Sequence, residues 1–71
     1  MPKLPCVSGK ETIKALTRLG FSFIRQKGSH AILRRDASGC VVPIHDEISQ
    51  GTLRGVLKQA GVTETEFREA L

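Results

Sequence analysis

The chain has 71 residues, enough for a single domain spanning 1–71; a chain this short buries roughly 60% of the surface its unfolded form exposes, which leaves a thin core and excludes a deep enclosed pocket. Lysine and arginine number 11 against 7 acidic residues, for a net charge of +4 and a pI of about 9.6, an excess that favours a polyanionic partner such as nucleic acid or an acidic protein surface. No apolar run approaches the roughly 20 residues that cross a bilayer, and Met1-Pro2-Lys3-Leu4-Pro5-Cys6-Val7 has a lysine but no apolar h-region, so neither a membrane span nor a signal peptide is expected and the protein reads as cytoplasmic.

The first predicted element is a helix over about Gly9 to Leu19. Ser8 and Glu11 have the spacing of a capping box; Ile13, Leu16 and Leu19 recur at a helical period, and Gly20 supplies the stop. Three short strands follow. Phe21–Gln26 is aromatic and β-branched and ends in the turn residues Lys27-Gly28-Ser29. His30–Arg35 is closed by the hairpin loop Asp36-Ala37-Ser38-Gly39. Cys40–Ile44 is the third, and Pro43, which lacks an N–H, marks its end or an edge position.

A second helix is predicted over Thr52–Ala60, with Leu53, Val56, Leu57 and Ala60 on one face and Gly61 as its stop. A short third helix starts at a second capping box, Thr63 with Glu66, and Val62 and Phe67 have the spacing of a hydrophobic staple. Three antiparallel strands with one apolar face need helices to cover it. The fold class is therefore α+β, an α-β-β-β-α two-layer sandwich with a short C-terminal helix. Phe21, Phe23 and Phe67 are assigned to its core, since the chain has no Trp or Tyr.

Candidate chemistry centres on His30. Without a metal, RNA is cleaved when a base removes the 2′-OH proton and an acid protonates the leaving 5′-oxygen, and imidazole serves either role near neutral pH. A glycine turn before the residue lets a phosphodiester approach closely. The bland alternative is a strand-end histidine that only hydrogen-bonds locally. His45 is either a second acid/base group or phosphate contact, or a loop residue that orders the turn before helix two. Arg25, Lys27, Arg34 and Arg35 flank Gly28-Ser29-His30 and are suited to neutralise a phosphate; taken singly, each reads better as a solvated surface charge, and it is the set around His30 that favours RNA contact.

Arg54 and Lys58 share a face of helix two, whose start at Gly51-Thr52 offers free N–H groups. Ser29 has no Ser-His-Asp arrangement around it and is assigned to the turn or to backbone contact with RNA. Cys6, His30, Cys40 and His45 lack the close ligand spacing of a zinc motif, so no metal and no cofactor are expected, and the cysteines read as free thiols.

The α-β-β-β-α order is that of double-stranded-RNA-binding domains. Gly20-Phe21, Arg25-Gln26-Lys27-Gly28-Ser29-His30, Val42-Pro43-Ile44-His45, Gly51-Thr52-Leu53-Arg54 and Lys58-Gln59-Ala60-Gly61, in this order and spacing, resemble the HicA (YcfA-like) mRNA-interferase family. The resemblance runs from about Ser8 to Phe67. It implies a fold like that of double-stranded-RNA-binding domains and a toxin of a type II toxin–antitoxin pair. It also implies a metal-independent endoribonuclease acting on mRNA, restrained by a HicB-type antitoxin. The family's catalytic histidine falls on His30, with RNA contacts expected from Arg25, Lys27, Gly28, Ser29, Arg34, Arg35, His45, Arg54 and Lys58. The alternatives are a non-catalytic module that reads A-form RNA by shape and a regulatory partner that binds only protein.

Overall fold

A computed structural model describes residues 4–71. Met1–Lys3, the head of the segment read above as lacking a signal sequence, lie outside the described residues. Helix α1 (Gly9–Arg18) starts where predicted because the capping box closes in both directions. The Glu11 N–H donates to Ser8 Oγ and the Ser8 N–H donates to Glu11 Oε1, each at 3.1 Å. Thr12, a buried polar residue, keeps its hydroxyl satisfied by donating to the Ser8 carbonyl at 2.9 Å. Leu19 caps the other end, and Gly20, with φ +100°, turns the chain into the sheet.

Strands β1 (Ser22–Lys27), β2 (His30–Arg35) and β3 (Ser38–Pro43) form an antiparallel sheet in the order β1-β2-β3. Both hairpins close in two residues, Gly28-Ser29 and Asp36-Ala37, and the first residue of each turn has positive φ, 61° at Gly28 and 53° at Asp36. Such turns match the twist of the flanking strands. The second loop is thus shorter than the predicted Asp36–Gly39: Ser38 and Gly39 are already in β3, opposite Arg35 and Arg34. Pro43 is both the last residue of β3 and on an edge strand.

The helical layer comprises α1, α2 (Gln50–Ala60) and α3 (Glu64–Ala70). Helix α2 starts two residues before the predicted Thr52, because Ser49 is its N-cap and accepts from the Thr52 N–H at 3.3 Å. Ser49 has no acidic partner three residues on, so the reciprocal signal that marks α1 and α3 is missing. Helix α3 does carry its capping box, and Val62 and Phe67 on either side of it are both buried. Leu16, Phe21, Leu33, Val42, Leu53 and Phe67 are central members of a core drawn from every element except β1. Each such side chain stabilises the fold by roughly 1.5–3 kcal/mol relative to exposure.

Strand β1 has no buried residue. Helices cover the alternate residues Ala31, Leu33, Cys40 and Val42 of β2 and β3, while the far edge of the sheet projects past them. This corrects the assignment of Phe23 to the core. Phe23 pairs with buried Leu33 and so shares its face, yet is 49% exposed, because the helical layer leaves β1 largely uncovered. A register shift between Phe23 and Arg25 adds Ile24 as an extra residue on this edge, 52% exposed.

The start of α1 is held against the end of β3 by Gly9, whose N–H donates to the His45 carbonyl at 2.8 Å. A Cβ there would collide with the Pro43 carbonyl oxygen and lie 2.8 Å from Ile44 Cα. Among the described residues no helix is long and apolar enough to cross a membrane.

Candidate nucleic-acid interface

Strand alternation sorts the candidate residues onto two faces. Ala31, Leu33 and Arg35 point toward the helices; His30, Ile32 and Arg34 point to the uncovered face. Residues directly opposite across an antiparallel pair share a face, so the register defines three rows there. Lys27, His30 and Pro43 form the first, Arg25, Ile32 and Val41 the second, and Ser22, Arg34 and Gly39 the third. His30, Arg25, Lys27 and Arg34 therefore lie together on one exposed surface. Gly28 and Ser29 form the turn between Lys27 and His30, and the Ser29 carbonyl accepts from the Ile44 N–H at 2.7 Å.

That bond fixes which backbone groups reach the free edge of β3. Hydrogen-bonded pairs alternate along an antiparallel ladder, so with Ser29 and Ile44 bonded, Pro43 and Val41 direct their nitrogens away from β2. Pro43 has no N–H to leave unpaired. The Val41 N–H is taken by Gln59 Oε1 of α2 at 3.3 Å. Between the edge and the helix runs a shallow groove of about 360 Å³, bounded by His30, Val41 and Pro43 on the sheet side and by Thr52, Gly55 and Gln59 on α2. It continues past Val41 and Gln59 into a second depression of about 410 Å³ that reaches Ile32, Arg34 and Gly39. No acidic side chain lines either part.

The other candidate residues are placed elsewhere. Arg35 lies on the helix side, where it donates to the Leu19 carbonyl at 2.8 Å and stacks 4.7 Å from the Phe21 ring centroid. Arg54 and Lys58 do share a face of α2, but it borders the start of α3, beside Val62 and Glu64, and not the His30 groove. His45 is exposed in the loop beyond β3 and contributes its backbone carbonyl to the start of α1. Cys6 is exposed and Cys40 buried, both as free thiols, and burial pushes the Cys40 thiol up from its ordinary value.

Sequence reading passed over Gln59 and Gly9 as site residues. Gln59 stood inside one of the segments that carry the family resemblance, but nothing in its type marks it off from a solvated helix face. Its position only emerges once α2 lies along β3.

The family described as the HicA toxin of bacterial toxin–antitoxin systems matches residues 9–62, from the first residue of α1 to just past α2. The chain belongs to the HicA toxin family. No curated protein matches it. As a HicA-family member it is a toxin of the nuclease type with an RNA-directed role, one half of a toxin–antitoxin system. The fold has the predicted α-β-β-β-α order with its added C-terminal helix. The acid-free groove lies within the matched span, and α3 lies outside it.

Proposed function

We propose that this HicA-family chain is a metal-independent endoribonuclease that cleaves mRNA through His30 and is silenced by a HicB-type antitoxin. The observation that carries the reading is the position of His30. It is exposed at the mouth of β2, directly across from Lys27, and it opens the groove between β3 and α2. In the reaction the 2′-OH loses its proton to a base as its oxygen bonds to phosphorus. The P–O5′ bond breaks, and the 5′-oxygen takes a proton from an acid. The products are a 2′,3′-cyclic phosphate and a 5′-hydroxyl. His30 fills one of the two proton-transfer roles, and Lys27, Arg25 and Arg34 stabilise charge developing on the phosphoryl oxygens. Gly28 and Ser29 offer the backbone of their turn to the strand, and His45, Arg54 and Lys58 extend phosphate contact outside the groove.

The antitoxin is expected to cover the face that presents Arg25, Lys27, His30 and Arg34, blocking RNA and neutralising the charge in one step. The test is to induce the wild type and His30→Ala in a bacterial host without antitoxin, following growth and mRNA integrity. Arrest with mRNA degradation in the wild type alone supports the assignment. A folded His30→Ala protein that degrades mRNA as fast as the wild type removes it. Soluble protein that binds RNA without cutting it points instead to a binding module. Substrates with a 2′-deoxy sugar at the cut site must resist cleavage, since the proposed nucleophile is then absent.

A further inference from the structure

Next to His30, the groove changes character. Its far part has an apolar floor, Ile32 half-buried and Val41 40% exposed, between the cations Arg25 and Arg34. A phosphate is poorly matched to such a floor; the flat apolar face of a base is well matched. Gln59 stands at the wall of this part and of the His30 part alike.

The orientation of its amide is forced. The Val41 N–H is a donor and can only be met by the amide oxygen, so the Oε1 end faces the β3 edge at 3.3 Å. The –NH2 end keeps its two donors uncommitted among the described residues, at the wall shared by the two parts of the groove. The groove is open beside Gly55, where a Cβ would meet nothing within 4 Å.

We infer that Ile32, Val41 and Gln59 form a nucleobase subsite beside His30, in which the Gln59 amide selects bases that present acceptor atoms. The occupant follows from charge complementarity and from continuity with the His30 groove, and the inference rests on the RNA-directed reading above. Gln59 is a specificity residue here and takes no part in proton transfer. The backbone bond that orients it makes its donors selective, because a flipped amide would lose the Val41 N–H.

The test uses short 2′-O-methyl RNAs that differ at single positions, with binding measured for the full-length wild type, Gln59→Leu and Gln59→Glu, and thermal unfolding followed for each. Binding is read apart from cleavage, so failure of the His30 assignment leaves the result interpretable. One hydrogen bond corresponds to a base preference of roughly three- to tenfold. Wild type is expected to show such a preference at one position for an acceptor-rich edge. Gln59→Leu is expected to flatten it. Gln59→Glu keeps an acceptor for the Val41 N–H but exchanges donors for a second acceptor, and is expected to move the preference toward bases with an amino group. A wild type with no base preference overturns the inference. So does an equal loss of affinity for every base in Gln59→Leu, which would make the residue a support for the β3 edge alone.

Discussion

Arg35 of β2 donates a 2.8 Å hydrogen bond to the carbonyl of Leu19 at the end of α1. Its guanidinium also lies over the Phe21 ring, 4.7 Å from the centroid. Arg34, its chain neighbour, points to the opposite face and lines the groove. Two adjacent arginines thus do different jobs. Arg35→Ala should lower stability by about 1–3 kcal/mol, because it removes a charged hydrogen bond and a cation–π interaction at once. Arg34→Ala should change stability by less than about 0.5 kcal/mol but weaken RNA binding and make the log K against log salt slope shallower by about 1 unit. Denaturant melts and salt titrations on both variants check this; equal destabilisation by the two would contradict it.

Much of the fold was legible because local signals agreed with the global pattern. Ser8 with Glu11 and Thr63 with Glu66 announce helix starts, and the alternation through Ala31, Leu33, Cys40 and Val42 announces a one-sided sheet. The misses arose where position in the third dimension decides. Phe23 has the composition of a core residue, but the reach of the helices across the sheet leaves it exposed. Ser49 is a cap without the reciprocal partner that makes caps readable. Alternation along β2 places Arg34 on the face of His30 and sends Arg35 to the helix side, so the two neighbours part company although both flank the turn in sequence. Gln59 becomes a groove residue solely through the docking of α2 along β3.

Gly9 is the tightest backbone approach near the site. A Cβ there collides with Pro43 and Ile44, both backbone atoms that cannot swing aside. Gly9→Ala should therefore cost about 1–3 kcal/mol, the range for forced overpacking, although alanine is the better helix former. Because the displaced segment is the residue opposite His30 and the one after it, RNA binding should fall along with the unfolding midpoint. A variant with wild-type stability would show that α1 and the end of β3 can separate freely.

Glu66 links α3 to pH. Its carboxyl is held below its ordinary value, first by the Thr63 backbone N–H, then by the Thr63 side chain, with a smaller contribution from the Arg35 charge. A depressed pKa in the folded state favours the ionised form, so this contribution is complete above the unfolded carboxyl value, about 4.3, and is lost as pH falls through the lower folded value. Glu66→Gln should be less stable than the wild type at neutral pH, and the two stability curves should converge as the solution is acidified. Parallel curves down to the lowest pH that keeps the fold would remove Glu66 from the acid response.

Charge reversal on the open face tests the proposal that RNA and antitoxin share it. Glutamate at Arg25, Lys27, His30 or Arg34 should weaken capture by the antitoxin roughly tenfold or more at low salt, since like charges would then meet. RNA binding should fall in the same variants. Titration of each against purified antitoxin and against RNA gives both readouts. Unchanged antitoxin affinity across all four positions would place that interface elsewhere on the molecule.

His45 and His30 are the chain's two histidines, and the site geometry ranks them differently. His30 bounds the groove and faces Lys27 across the hairpin. His45 follows the end of β3, is exposed, and holds α1 through its carbonyl rather than its ring. A backbone contact survives substitution by alanine. His45→Ala should therefore fold normally and retain RNA cleavage within about tenfold of the wild type, while His30→Ala loses roughly the 10²- to 10⁴-fold typical of a general acid or base. Single-turnover cleavage of one RNA by the three proteins decides the ranking. Losses of equal size would make the two imidazoles a working pair and would require the loop after β3 to bring His45 to the phosphate when RNA binds.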